Sequence, residues 1–505
     1  MPMTPPPELD YGDVQGLVRF GHGRLEDACY LLLDVADASA ARAWLCNAPV
    51  TTAVTMTPPP DVALQIAFTA KGLRRLGVPE TALAQFSDEF IAGMAGEPSR
   101  SRRLGDIGAD APGHWDWGGS EAELPDLVVM LFARRGQLAT WEQACAGPDW
   151  NRAFTLRSRL PTNDIGDIEP FGFADGVSQP KIDWAFELEL DGRERLEFGN
   201  VLALGEVVLG YPNEYGLLTD RPLLDPAFDA AAEALPPALD APNRRDLGRN
   251  GSYVVFRQLA QDVRRFWQFV DQAAGHDPAQ RWSLADAMVG RHRDGRPLVP
   301  STAKLIPGIG AKRAEYEHNG FLYEDDPDGL RCPFGAHIRR ANPRTGDLPG
   351  GQQPLWRRLL RRLGFKRKGL RDDLVASTRF HRLIRRGREY GPALSLDDAL
   401  RPGPDEPRGL QFICLVANIS RQFEFVQNAW IANAKFDGLS DETDPLLGNR
   451  EPQHGGAPSD RFTLPQADGP PRRLEGLPRF VTVRGGAYFF LPGIRALRYI
   501  AEAGA

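Results

Sequence analysis

The sequence predicts an α+β protein of two units, each an antiparallel sheet with helices laid over it. Short apolar runs of strand character alternate with segments whose apolar residues recur at helical spacing. The order strand–helix–strand–strand–helix–strand is met twice. Between the two rounds lies RPLLDPAFDAAAEALPPALDAPNRRDLGRN, rich in proline, alanine and acids.

In the first round, ACYLLLDV reads as a strand and ADASAARAWLCNA as the helix after it. VALQIAFT is the next strand, leading into TAKGLRRLGV and ETALAQFSDEFIAGM, both of helical spacing. DLVVMLFA reads as a buried strand and GQLATWEQACAG as a helix. The second round opens with the strand SYVVFRQL, which runs into the helix AQDVRRFWQFVDQAA. GLQFICLVAN is a strand running into the helical ISRQFEFVQNAWIANAKF. FVTVRGGAYFFL reads as a hairpin around Gly485-Gly486, and IRALRYIAEA closes the chain as a helix. The repeat lies in the pattern of elements, not in sequence identity. It divides the chain into a flexible tail at 1–8, a ferredoxin-like unit at 9–220, a linker at 221–250 and a second ferredoxin-like unit at 251–505.

With 505 residues the chain is long for one core, which agrees with two packed units. A net charge of −7 gives no global attraction for nucleic acid. The five cysteines show no CxxC pair, zinc spacing or CxxCH motif, so buried free thiols in a reduced compartment are expected. MPMTPPPELDYGDVQG has neither the basic nor the apolar region of a secretory signal, and runs such as LPDLVVMLFA are too short to span a membrane. A soluble, cytoplasmic protein is expected.

Three stretches stand out chemically. PFGFADGVSQP, Pro170 to Pro180, sets one acid, Asp175, between Gly172 and Gly176. Asp beside Gly is also ordinary turn chemistry. RCPFGAHIRRANPR places His337 among Arg339, Arg340 and Arg344. A neutral imidazole is a good iron ligand when its other nitrogen has an acceptor, and arginines can pair with a cofactor's carboxylates. The alternative is a histidine satisfied by ordinary hydrogen bonds. RFHRLIRRGREYGP ends a basic run in a glycine turn, either to hold one arginine over a cavity or as a solvated helix end.

Together the three stretches resemble the dye-decolourising peroxidases, a family of haem peroxidases. GFADG with its trailing SQP is similar to the family's GxxDG signature, CPFGAHIRRANPR to its proximal-histidine segment and RRGREYGP to its distal-arginine turn. YGDVQGLVRFG, IAFTAKGLRRLGV, NGSYVVFRQLAQDV, MVGRHRDGRPL, GLQFICLVANISRQFEFVQNAW and FVTVRGGAYFFLP extend the resemblance nearly end to end. It implies two ferredoxin-like domains and one non-covalent haem b per chain, held in the C-terminal domain with the GxxDG loop over its distal face.

On that resemblance His337 is the axial ligand to the iron, Asp175 stands on the distal face and Arg385 beside it, with Arg386 as the fallback. Gly176 is expected among the haem-binding residues, in the loop that brings Asp175 close to the haem. Arg344 pairs with a haem propionate. Leu410 and Phe412 share a strand face, and the resemblance turns that face toward the distal pocket. The implied activity is reduction of hydrogen peroxide coupled to oxidation of dyes, phenols or other electron-rich organics. The alternative is a haem-binding or haem-handling protein with incidental peroxidase activity.

Two points stay open in the sequence. Spacing alone does not identify the acid behind His337: Glu424 and Asp444 are candidates, and either also reads as a surface charge or a turn residue. The distance from His337 to Arg385 exceeds the family pattern, and the excess falls in the basic insertion at 345–374. Within it, residues 355–371 have the character of a basic amphipathic helix, suited to an anionic membrane, an acidic partner or the protein's own acidic surface. The last is favoured.

Overall fold

Residues 9–166, 168–174, 176–187, 200–301, 318–345, 377–452 and 456–503 are described in the computed structural model of the chain. The insertion beyond Thr345, where an amphipathic helix was expected, lies outside these residues, as does Asp175.

In the first unit the strands are Asp27–Val35 (β1), Val62–Phe68 (β2), Leu127–Ala133 (β3) and Phe154–Pro161 (β4), with helices Ala38–Asn47 (α1) and Leu138–Ala146 (α2). In the second unit Ser252–Gln261 (β5) leads into the helix Val263–Ala273 (α3). His337–Ala341 (α4), the edge strands Ile384–Arg385 (β6) and Arg388–Tyr390 (β7), and Gly409–Val416 (β8) follow. Val481–Leu491 (β9) and the helix Ile494–Glu502 (α5) end the unit.

The strand order in the first unit is β4-β1-β3-β2. In the second it is β9-β5-β8, with β6 and β7 both paired to β8. All these pairings are antiparallel, and both orders are the ferredoxin-like order. The sheets meet edge to edge where Phe490 of β9 pairs with Phe68 of β2, so one continuous sheet runs through the molecule. Asp37 and Asp262 start α1 and α3 by accepting the backbone N–H of Ala40 and of Arg265. Both faces of the sheet are covered, which is why β3 is buried at every position instead of alternating. α5 returns from the second unit to pack on α1 of the first.

The structure corrects two readings. FVTVRGGAYFFL is not a hairpin. It is one strand, β9, whose register against β5 shifts between Val483 and Gly485, a β-bulge. The glycines serve close approach, because a Cβ on Gly485 would collide with the Trp117 indole and one on Gly486 with the Met94 sulfur. ETALAQFSDEFIAGM is not one helix but two, Glu80–Leu83 and Asp88–Ala92. Ser87 breaks it by capping the second through the N–H of Phe90.

The segment at 221–250 is packed. Leu223–Leu224 pairs with Arg245–Asp246, a short 3₁₀ turn covers Ala230–Ala234, and the buried Arg221 bonds Asp246 at 2.6 Å.

Candidate active site

In the second unit the sheet and its helices do not close on one another. A cavity lies between β5, β8 and β9 and the helical run 420–431, and it is also walled by α4 and the loop 169–180. The helical run is wound wide: Glu424 N–H donates to Ile419 O at 3.0 Å and Ala432 N–H to Gln427 O at 2.8 Å, each spanning five residues. Such π-wound turns are rare and cluster at functional sites.

His337 opens α4 and faces this cavity. Its Nδ1–H donates to Asp444 Oδ2 at 2.9 Å, which leaves Nε2 as the ring nitrogen available to a ligand. The side chain keeps 27% of its surface open although it sits deep in the protein, because that surface faces the cavity. Asp444 is fully buried, and its other oxygen accepts the N–H groups of Leu446 and Leu447, each at 2.9 Å. Burial pushes the Asp444 carboxyl up, but His337, Leu447 N–H and nearby Arg340 outweigh it and hold the group below the ordinary carboxylate range. Burial pushes the imidazole down, and Asp444 more than reverses it. Of the two acids left open by the sequence, Asp444 stands behind His337. Glu424 instead accepts Tyr488 OH at 2.9 Å and pairs with Arg100 at 3.0 Å.

Arg385 lines the same cavity from edge strand β6. The next residue points to the other sheet face, as strand alternation requires. Arg386 donates to Leu17 O and Val18 O at 2.8 and 2.9 Å, and burial pushes its guanidinium down to about 10. Leu410 and Phe412 both line the cavity from β8.

The loop that carries Asp175 is anchored on the side that precedes it. Phe171 packs on Phe266, and Phe173 stacks on Trp267 of α3. Glu169 accepts Gln261 Nε2 of β5 at 2.9 Å. Gly172 and Gly176 have φ of 95° and 68°, the left-handed region, while a Cβ at either would meet no atom within 4 Å. Backbone conformation therefore selects these glycines, not crowding by the protein. Gly176 is exposed and is not on the cavity wall, although its neighbours Ala174 and Val177 are.

Arg344 also reaches the cavity, with φ of 53°. Its Nη1 donates to Asn319 O at 2.7 Å and Phe321 O at 2.9 Å, and the guanidinium lies 3.7 Å from the Phe321 ring centre. Burial pushes it down to about 9. Arg291 and Arg382 line the same cavity, each pushed down by burial to about 10. Three buried guanidiniums around one apolar space suit a flat, largely apolar ligand that carries carboxylates, and the available imidazole nitrogen suits a metal within it. Haem has that chemistry, so the residues present fit it.

Several wall residues carried no usable sequence signal. Glu169 belongs to no motif read above, and Arg291 and Arg382 lie within MVGRHRDGRPL and RFHRLIRRGREYGP without having been singled out there. His381 sits inside RFHRLIRRGREYGP, where the arginines drew attention. Its ring stacks 3.6 Å from Phe425, meets Trp430 edge-on and lines the cavity.

No protein-family model matches the chain. Against a multifunctional dye peroxidase of an Amycolatopsis species it is 30% identical over 455 residues, 86% of this chain and 81% of that one. Against a dye-decolorizing peroxidase of Auricularia auricula-judae it is 26% identical over 524 residues, 97% of this chain and 86% of the relative. A crystal structure of a fungal peroxidase of this type, also from Auricularia auricula-judae, superposes with a TM-score of 0.71 at 23% identity, covering 98% of this chain and 100% of that one. A second solved structure, a dye-decolorizing peroxidase in complex with 2,6-dimethoxyphenol, gives a TM-score of 0.69 at 23% identity over 98% and 100% of the two chains.

Proposed function

The chain belongs to the dye-decolorizing peroxidase family, and from that premise we propose how its own residues divide the work of a haem peroxidase. Bound haem supplies the redox-active iron at which the peroxide O–O bond breaks and through which an organic donor is oxidised. His337 Nε2 would hold that iron. Asp444 fixes the imidazole tautomer and, through its hydrogen bond, makes the ring a stronger electron donor. Arg344 would pair with a haem carboxylate. Leu410 and Phe412 keep bulk water off the reacting face.

Asp175 would carry the proton from one oxygen of hydrogen peroxide to the other. This role rests on the GFADG motif, and Gly172 and Gly176 give the loop on either side of it the left-handed turns that a side chain would resist. Arg385 holds the peroxide anion and stabilises charge on the departing oxygen. The observation that carries the proposal is the meeting, in one cavity, of an Asp444-bound imidazole and the Arg385 guanidinium.

The reducing substrates are electron-rich organics, among them phenols of the kind bound in the 2,6-dimethoxyphenol complex of a structural neighbour. A cytoplasmic setting is supported by five free cysteines, four of them buried. No helix among the described residues is long and apolar enough to cross a membrane. Turnover is expected to peak at acidic pH, since an ordinary aspartate serves as base only above about pH 4 and donates its proton best near that value.

The test is peroxide-dependent oxidation of 2,6-dimethoxyphenol by haem-loaded protein. Arg385→Leu and Asp175→Asn are each expected to lower the rate of reaction with peroxide about 10²-fold or more while retaining the Soret band. Wild-type rates in both variants, or a turnover maximum above pH 8, would overturn the assignment.

A further inference from the structure

Arg385 sits on the outermost strand of the second unit's sheet. β6 pairs with β8 through Ile384 with Leu415 and Arg385 with Cys414. An edge strand leaves main-chain donors and acceptors facing away from the sheet, and these need partners or water. Here one side chain meets both groups of the same residue. Arg385 N–H donates to Gln179 Oε1 at 3.1 Å, and Gln179 Nε2 donates to Arg385 O at 3.2 Å. A primary amide carries its donor and acceptor side by side, so Gln179 occupies the place a neighbouring strand would take. The Arg385 carbonyl also accepts Arg386 Nη1 at 3.2 Å.

Gln179 is itself held. Its carbonyl accepts Asn200 Nδ2 at 3.0 Å, and two residues earlier Val177 O accepts Asn319 Nδ2 at 2.6 Å. At the far end of the same loop, Glu169 is tied to Gln261 of β5. Val177 and Ser178, just before the amide, form part of the cavity wall. The segment that ends in SQP is thus joined to the main chain of the arginine strand by a paired amide contact, although the two lie 206 positions apart in sequence.

We infer that Gln179 is a positioning residue for Arg385: its amide clamps the arginine's main chain and so fixes where the guanidinium stands in the cavity. The inference rests on the role proposed above for Arg385. Gln179 touches neither substrate nor iron in this account, and it acts only through the backbone it holds. Catalytic geometry is sensitive at this scale, and a misplacement of about 1 Å costs on the order of 10²-fold.

The experiment uses haem-loaded full-length protein and two measurements, the bimolecular rate constant with hydrogen peroxide and the dissociation constant of cyanide from the ferric enzyme. Arg385→Leu is expected to impair both about 10²-fold. Gln179→Ala is expected to impair both about tenfold, with haem content and the spectrum of the His337-ligated state unchanged. Gln179→Glu adds a pH signature. The protonated acid has one donor and one acceptor and restores the clamp, whereas the carboxylate has two acceptors and faces the Arg385 carbonyl with repulsion. The ratio of Gln179→Glu to wild type should therefore be near one at about pH 4 and fall about tenfold by pH 7.

If Arg385→Leu impairs both measurements while Gln179→Ala stays within twofold of wild type, the clamp has no positioning role. Should Arg385→Leu itself change neither, the reading of the arginine fails instead. If Gln179→Ala yields no haem-loaded protein, the pH dependence of Gln179→Glu decides alone, and a flat ratio overturns the inference.

Discussion

The two units have the same strand order and the same layer of helices, yet one is filled and the other hollow. In the first, Trp44 of α1 occupies the layer beneath the helices. Its indole N–H donates to Cys145 O of α2 at 2.8 Å, and its ring meets Trp150 and Phe154 edge-on at 5.1 and 5.3 Å. In the second, the corresponding layer is the cavity, with Leu259, Phe412, Phe423 and Val481 standing on its wall. The crossover from β1 to β2 is short, at 36–61. That from β5 to β6 spans 262–383 and delivers His337, Arg291 and Arg344 to the gap. The helical run over the second sheet is wound wide, with Phe423, Val426, Gln427 and Trp430 toward the cavity. A shared architecture thus supplies a stable sheet, and chemistry enters where the covering helices are held away from it.

The sharpest way to break this comparison is to make one substitution in each unit. His337→Ala is expected to abolish the Soret band of the ligated state and lower peroxidase turnover about 10³-fold or more, with little change in the denaturant midpoint of haem-free protein. Trp44→Ala is expected to do the opposite. It empties a packed site and leaves Cys145 O without its indole donor, costing about 3–5 kcal/mol in chemical denaturation while haem binding persists. If Trp44→Ala were to lose the haem spectrum without loss of stability, the division between a packed scaffold unit and a hollow chemical unit would fail.

What could be read from the sequence follows the same division. The central strands were legible because burial on both faces produces unbroken apolar runs such as LVVMLFA and YVVF. The edge strands were not. FTLRSRLP in β4 is exposed or half-buried at most positions, and β6 and β7 are two and three residues long within a run of arginines. Gly485-Gly486 misled in the other direction, since a glycine pair signals a turn unless a neighbour such as Trp117 is known to press on it. In the site, His337 and Arg385 were found through motifs, and strand alternation separates Arg385 from Arg386. Asp444 was one of two open choices because it lies 107 positions from His337 and only the fold joins them. Gln179 sat in a quoted motif, but its partner is main chain, which no side-chain pattern announces.

The smallest expected effect probes buried charge near the hollow. Asp106 and Arg257 of β5 form an ion pair, both almost fully buried, beside a smaller chamber that shares Leu259, Phe412 and Phe423 with the main cavity. Burial pushes the Asp106 carboxyl up to about 6, against the attraction of Arg257. In the unfolded chain the same group titrates near pH 4. Between those values the folded state keeps a proton that the unfolded state has released. The contribution of Asp106 is therefore full below about pH 4, declines as pH rises, and is lost above about pH 6. Asp106→Asn leaves Arg257 without a carboxylate above about pH 6, and it removes this slope. The check is the stability difference between pH 4 and pH 7, from urea unfolding of wild type and variant. Wild type should lose on the order of 1–3 kcal/mol more than the variant over that interval. A wild type that gains stability relative to the variant would mean that Arg257 holds Asp106 ionised throughout, and that the hollow unit tolerates its buried charge without a pH-dependent cost.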